Sequence, residues 1–173
     1  MSSFDGGPLI LTLALDAESQ AFFNKLRQQH FPPARNFLAA HVTLFHHLPG
    51  AQHAAIADSL TAVAAEQALL PLAVTGLRFL GRGVAYTLEN RTLQTLHKHL
   101  QTHWQPYLTP QDQQKLSPHV TVQNKVDPAT ARALHAKLSA DFQPFEATGT
   151  GLQLWAYRGG PWEALEHFAF ENR

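Results

Sequence analysis

An α+β fold of two similar lobes about a pseudo-twofold axis is what this sequence predicts, and three observations lead there. Segments with the two-residue alternation of strands take turns with segments carrying the i, i+3, i+4 stripe of helices. The order of those segments in the first half of the chain is repeated in the second. The same tripeptide, His-Val-Thr, opens the corresponding strand of each half, at His41 and again 78 positions later at His119.

The elements follow in order. Residues 9–15 alternate as a strand, and Asp16 stands where an N-cap is needed for a helix over 17–30. After a loop with Pro32 and Pro33, residues 41–48 read as a strand closed by Pro49 and Gly50. An alanine-rich helix over 52–68 and a strand over 72–80, stopped by Gly81, complete the first half. The second half begins again with a strand over 83–89 and a helix whose apolar stripe is Leu93, Leu96, His97, Leu100 and Trp104. A polar loop over 106–118 leads into a strand over 119–126. Asp127 as cap and Pro128 at the first helical position then open a helix running to about residue 140. Strands over 146–157 and 167–170, joined through Gly159-Gly160-Pro161, finish the chain. The helices behind the two tripeptide strands start 76 positions apart, so the frame is kept. The whole of 1–173 reads as one domain with pseudo-repeats of about 8–81 and 82–173.

Composition narrows the function classes. With 173 residues, 45% of them hydrophobic and 15% charged, the chain is long and apolar enough to build a core of its own. It has no cysteine, so disulfides, thiolate metal sites and a cysteine nucleophile drop out, which fits a reducing cytoplasm. No secretory signal and no apolar run of membrane-spanning length is expected. Thirteen basic residues balance thirteen acidic ones, so net charge does not supply the long-range attraction that drives binding to a nucleic-acid backbone. A small or terminal phosphate suits the chain better than a long duplex, and a monomer is expected.

The paired tripeptides carry the chemistry. Histidine is plentiful, with 11 in the chain, so one H-x-T match means little. Two full His-Val-Thr copies at equivalent places of matching halves mean much more. On a strand, His41 and Thr43 share one face while Val42 and Leu44 point to the core, and His119 and Thr121 do the same against Val120 and Val122. A dyad then converges two imidazoles and two hydroxyls on one cleft. In-line cleavage of a phosphodiester needs a base on the attacking oxygen and an acid on the leaving oxygen, and histidine titrates in the right range for both. The threonines are expected to hold the non-bridging oxygens, with no metal and no cofactor.

At these residues the sequence resembles the two-histidine (2H) phosphoesterase superfamily, near its 2′-5′ RNA ligase-like branch, over nearly the whole chain. That family carries two H-x-[TS]-hydrophobic motifs, matched here by His41 with Thr43 and by His119 with Thr121; the closing Leu154-Trp155-Ala156-Tyr157-Arg158-Gly159-Gly160-Pro161-Trp162 is similar to the ending of bacterial members. The resemblance implies antiparallel-rich sheets lining a central cleft with helices outside. It also implies hydrolysis of 2′,3′-cyclic phosphates at RNA or nucleotide ends, as in RNA processing, or of related cyclic and 2′-5′ phosphodiesters. The same chemistry reversed makes a 2′-5′ RNA ligase. The rival from another class is a binding module that holds a cyclic nucleotide or RNA end without turning it over.

Strict alternation carried past each threonine puts Phe45 and His47 beside His41 and Thr43, and Gln123 and Lys125 beside His119 and Thr121. Phe45, Gln123 and Lys125 are therefore expected to contact substrate, Phe45 a base or ribose and the other two polar groups. The alternative is a bulge after each threonine that turns these side chains away. Trp155, Tyr157 and Trp162 are candidates for base stacking or for packing. Arg35, Arg82 and Lys115 are loop cations able to meet phosphate. His46, His47, His97, His99 and His103 could form a zinc site or belong to a solvated surface, and the lack of a metal-binding motif favours the latter.

Overall fold

The computed structural model describes residues 6–172, with strands β1 (Leu9–Leu15), β2 (Val42–Leu48), β3 (Leu70–Phe79), β4 (Val84–Glu89), β5 (His119–Gln123), β6 (Phe145–Tyr157) and β7 (Trp162–Ala169). The helices are α1 (Ala17–His30), α2 (His53–Glu66), α3 (Arg91–Trp104) and α4 (Pro128–Ala140), with short 3₁₀ turns between. Their order, β1-α1-β2-α2-β3 then β4-α3-β5-α4-β6, repeats as the sequence patterns lead one to expect. Local capping explains the starts of α1 and α4, as it does that of α3, where Asn90 Oδ1 accepts the Leu93 N–H at 2.7 Å. The Asp16 carboxylate accepts the Ser19 N–H at 3.1 Å and the Asp127 carboxylate accepts the Thr130 N–H at 2.9 Å, each satisfying a donor the first turn leaves open. Asp127 is followed by Pro128, whose missing N–H costs nothing at that position.

All pairings are antiparallel, and the strands run β2-β1-β6-β3-β4-β5 with β7 also on β6. Gly149 pairs with Leu15 on β1 and with Leu70 on β3, so those strands lie on opposite edges of β6. Further along, Gly151 pairs with Ala14 and with Ala169, so β7 continues the edge that β3 leaves. The 13-residue β6 is thus shared between two lobes, one of β2, β1, β6 and β7, the other of β6, β3, β4 and β5. The third strand of each half joins the other half's sheet, which interleaves the lobes. One apolar core runs through both, from Leu11, Phe23 and Val42 to Leu93, Val120 and Leu152. No helix among the described residues is long and apolar enough to cross a membrane.

Where the alternation fails, a bulge is the cause. In the β1–β2 ladder Leu11 faces Phe45 and the next residue, Thr12, faces Thr43, leaving Leu44 as an extra residue. In the β4–β5 ladder Val84 faces Gln123 and Ala85 faces Thr121, leaving Val122 extra. An inserted residue shifts everything beyond it to the opposite face. Phe45 is accordingly fully buried, its ring stacked at 4.5 Å on His97 and edge-on at 5.2 Å to Trp104. Gln123 is buried too, its side-chain oxygen without a partner among the described residues. Lys125 stands past the end of β5, exposed, in a turn with φ of 62°. The expectation that Phe45, Gln123 and Lys125 line the cleft is therefore corrected: the first two face the core and the third has left the strand. A bulge at Leu165 likewise hides the start of β7, which begins at Trp162 and not at 167.

Phe45→Ala is expected to destabilise the fold by about 3–5 kcal/mol, the usual cost of emptying a buried phenylalanine site, read by urea denaturation. A change below about 0.5 kcal/mol, typical of surface positions, would restore Phe45 to the cleft.

Candidate functional site

Each tripeptide is set in place by the helix that precedes it in the chain. On α1, the Gln20 amide donates to the Ala40 carbonyl at 2.7 Å, Asn24 accepts the Ala40 N–H at 2.8 Å, and Arg27 Nε donates to Asn36 Oδ1 and the Leu38 carbonyl at 2.8 and 2.9 Å. These three residues grip the loop that delivers His41. On α3, Gln94 donates to the Leu116 carbonyl at 2.9 Å, and Gln101 to the carbonyls of Asp112 and Gln114 at 3.0 and 2.7 Å. That pair grips the loop that delivers His119.

The same helices also cross between halves. Arg27 Nη1 donates to the Thr121 carbonyl on β5 at 3.1 Å, and the His97 ring of α3 donates Nε2–H to the Leu44 carbonyl on β2 at 2.9 Å. Both carbonyls lie at the bulges, where the ladder is interrupted and a buried acceptor must find another donor. Although β2 and β5 end the strand order at opposite extremes, these bonds draw the two tripeptides together. Asp112 adds a third tie, its carboxylate accepting the backbone N–H groups of His46 and His47 at 2.8–3.0 Å. Burial alone raises the Asp112 carboxyl, but the hydrogen bonds from the His46 side chain and these two N–H groups outweigh it and hold the group below the usual carboxylate range.

The two histidines are held alike. His41 Nδ1 lies 2.8 Å from the Ala39 carbonyl and His119 Nδ1 2.8 Å from the Ser117 carbonyl, two residues upstream in each case. A carbonyl only accepts, so the proton sits on Nδ1 and Nε2 is left for chemistry in both rings. Arg78 Nη2 is also 3.1 Å from His119 Nδ1. One ring nitrogen cannot donate to the carbonyl and accept from Arg78 together. The carbonyl contact is the shorter, and Arg78 has its own acceptor in Ser117 Oγ at 2.7 Å, so Arg78 stands beside the ring as a positive charge. Thr43 and Thr121 are half-buried on the same face as the histidines, and neither hydroxyl has a hydrogen-bond partner among the described residues.

Electrostatics favour the neutral form of both rings. Burial is the main cause that pushes His41 down to about 4; the Ala39 carbonyl opposes it, and the charges of Arg27, His119 and His46 add to the depression. His119 is lowered by burial first, against the pull of the Ser117 carbonyl, then by Arg78 and His46. Arg27 is 5% exposed and has no carboxylate within ion-pair distance among the described residues, so its charge is compensated only by oxygen dipoles and by the Phe31 ring 4.1 Å away.

Around the histidines the walls differ. His41 opens on a cavity of about 380 Å³ with Phe37, Gln153, Trp155 and Trp162, and the Trp162 ring lies 4.7 Å from the imidazole. Trp155 is anchored by donating to Thr12 Oγ1 at 2.9 Å. His119 and Thr43 open on a smaller cavity of about 230 Å³ that also holds Lys115. A larger cavity of about 540 Å³, walled by Phe22, Tyr86, Phe142 and Phe145, contains none of the histidines. Of the loop cations, Lys115 reaches the cleft, whereas Arg35 and Arg82 are exposed and line no cavity described here. Tyr157 is exposed. His46 is bonded to Asp112, His97 is in the core, and His99 and His103 are exposed on α3. No group of three His, Cys, Asp or Glu among the described residues is placed to hold a metal ion.

Arg27, Arg78 and Asp112 were not singled out from sequence. Only Arg27 left a signal there: it follows Ser19 and Phe23 at i+4 spacing, on the stripe that α1 buries.

Arg27→Met keeps much of the apolar stem but strands the Thr121 and Leu38 carbonyls, and is expected to cost about 2–4 kcal/mol in chemical denaturation. A neutral result would remove Arg27 as the tie between halves. Stability should also respond to pH through the histidines. His41 binds its proton near 6.5 when unfolded and near 4 when folded. The unfolded state therefore holds more protons between those values, and stability is full above about 6.5 and lost as pH falls through about 4. His41→Gln should flatten the wild-type slope across that window; an unchanged slope would mean the ring is not depressed.

The family model for the 2′-5′ RNA ligase superfamily matches residues 15–161, which include both tripeptides. No curated protein matches the chain. Among solved structures, the Thermus thermophilus protein TT0787 is similar at a TM-score of 0.67 and 15% identity, over 96% of this chain and 99% of that one. Escherichia coli LigT in its apo form is similar at 0.63 and 20% identity, over 95% and 97% of the two chains. LigT complexed with 3′-AMP is similar at 0.62 and 19% identity, over 98% and 100%. At such identities the structures speak for the shared fold, and the sequence match speaks for descent. The chain belongs to the 2′-5′ RNA ligase superfamily, within the 2H phosphoesterases.

Proposed function

We propose that the chain is a metal-independent phosphodiesterase that opens 2′,3′-cyclic phosphates, or related cyclic and 2′-5′ phosphodiesters, at the end of an RNA or on a small nucleotide. The observation that carries this reading is the matched pair of rings, each with Nδ1 tied to the carbonyl two residues upstream and Nε2 left over. The two threonine hydroxyls, unpartnered on the same faces, supply donors for the non-bridging oxygens. We take the whole chain, with its pseudo-repeats of about 8–81 and 82–173, as one two-lobed working unit.

The chemistry follows from those groups. A phosphodiester anion entering between the rings offsets the cations that keep them neutral, and so lets one ring take up a proton. His41, the more strongly depressed, is the better candidate for the neutral base that receives the proton of the attacking water. His119 then gives its Nε2 proton to the leaving ribose oxygen on the opposite side of phosphorus. Thr43 and Thr121 donate to the non-bridging oxygens, where transition-state charge must be held. Hydrolysis and ligation share this path in opposite directions, and we assign the hydrolytic one because water is the abundant nucleophile. The aromatic wall of Phe37, Trp155 and Trp162 next to His41 offers a stacking surface for a base. LigT, which shares the fold, has been crystallised with 3′-AMP and with NADP+, both of which carry phosphate on a secondary ribose hydroxyl.

On a substrate the wild type turns over, His41→Ala and His119→Ala should each lower kcat/KM by at least about 10²-fold, with the double variant less than additive. Thr43→Ala and Thr121→Ala should lower kcat more than they raise KM. Activity should survive exhaustive chelation, since proton transfer and hydrogen bonds need no Lewis acid. Near-normal activity in either histidine variant, or loss in chelator restored by zinc or manganese, would defeat the mechanism.

A further inference from the structure

The pseudo-dyad is broken beside the histidines, and the break is one of charge. The wall next to His41 is aromatic, whereas the cavity that His119 and Thr43 share is also lined by His46, Arg78, Lys115 and Ser117. Its one carboxylate, Asp112, is 3% exposed and already occupied, by the backbone N–H groups of His46 and His47 and by His46 Nδ1 at 3.0 Å. That last bond fixes the proton on Nδ1 of His46 and directs the ring, leaving its Nε2 without a partner among the described residues. Arg78 is held in place by donating to Ser117 Oγ at 2.7 Å, so its guanidinium is pre-oriented. Lys115 has no ion-pair partner among the described residues. At about 230 Å³ the cavity is small for a nucleoside but ample for a phosphate group.

We propose that the part of this cavity built by His46, Arg78 and Lys115, apart from the Thr43 and His119 groups that meet the reacting phosphate, is an anion subsite that holds a second phosphate of the substrate, the one on the 5′ oxygen of the ribose whose diester is cleaved. The proposal rests on the phosphodiesterase reading and gives it a polarity. With the reacting phosphorus between His41 and His119, the base lies against the tryptophans and the 5′ arm of the same ribose points to the cations. A nucleotide with a free 5′-phosphate and the last residue of an RNA strand, whose 5′ oxygen is in a phosphodiester, present the same anion there. A nucleoside cyclic phosphate without that group leaves the subsite empty and is the poorer substrate.

Binding of product-like ligands tests this by calorimetry in about 0.15 M salt, where distant surface charges are screened. The three probes are adenosine 3′-monophosphate, adenosine 3′,5′-bisphosphate and a 3′-phosphorylated adenosine dinucleotide. The bisphosphate is expected to bind at least about 10-fold more tightly than the monophosphate. His46→Gln and Lys115→Gln should each cut that advantage to about threefold or less, while Arg82→Gln, a cation outside the cavity, should keep it. Retention of the advantage by the dinucleotide supports the subsite and points to RNA ends; its confinement to the bisphosphate supports the subsite and points to free nucleotides. Equal affinities for all three probes would overturn the proposal. So would an advantage that survives both cavity substitutions, or one that Arg82→Gln also removes. Thermal melts of each variant exclude misfolding. Because binding is read, a protein that shows this pattern yet opens no cyclic phosphate would sink the proposed activity and leave the subsite standing.

Discussion

The guanidinium of Arg27 is the constraint on which the cleft depends. A buried cation with no carboxylate near it is costly, and it persists here because two carbonyls and an amide oxygen surround it. Those oxygens belong to different places: Asn36 and Leu38 lie on the loop entering the first tripeptide, and Thr121 lies within the second. One side chain therefore ties the approach of His41 to the strand of His119. His97 makes the counterpart bond from the other half, to Leu44. Interleaved sheets alone leave β2 and β5 at opposite ends of the strand order; these donors bring their faces together.

The same cation shapes the chemistry. Arg27 near His41 and Arg78 beside His119 both oppose a charged imidazole, and burial acts in the same direction. The cleft is thus short of negative charge, which in the proposed mechanism an incoming phosphate diester supplies. In the proposed mechanism one ring takes up a proton when the diester arrives and the other remains the base, a division that these electrostatics favour. Tying Nδ1 of each ring to a backbone carbonyl means that this exchange takes place at Nε2 on both sides.

How much of this could be read from the chain depends on whether the cause is local. Strand 9–15, the start of a strand at His119 (expected to run to 126, observed to end at Gln123), the Asp16 and Asp127 caps, and the facing of His41 with Thr43 and His119 with Thr121 rest on periodicity and capping, which neighbours in sequence determine. The bulges at Leu44 and Val122 are set by partner strands, and one extra residue in each was enough to turn Phe45 and Gln123 from the expected cleft to the core. Arg78 and Asp112 meet their histidines from 41 and 66 residues away, through packing that no window of sequence contains. Arg27 was hidden because an arginine on an apolar stripe reads as an exposed charge until the oxygens around it are seen.

Paired histidines that cleave a cyclic or 2′-linked phosphodiester would fix where the phosphate stays in the product. The most direct measurement incubates the wild-type chain and a His41→Ala/His119→Ala double variant with a panel of 2′,3′-cyclic and 2′-5′ phosphodiesters, and locates the phosphate in each product by phosphorus NMR. The wild type is expected to open at least one of these diesters to a single monophosphate regioisomer, as a fixed in-line geometry requires, and the double variant to open none above the uncatalysed rate. Failure of the wild type to open any of them, or equal turnover by the double variant, would contradict the two-histidine mechanism.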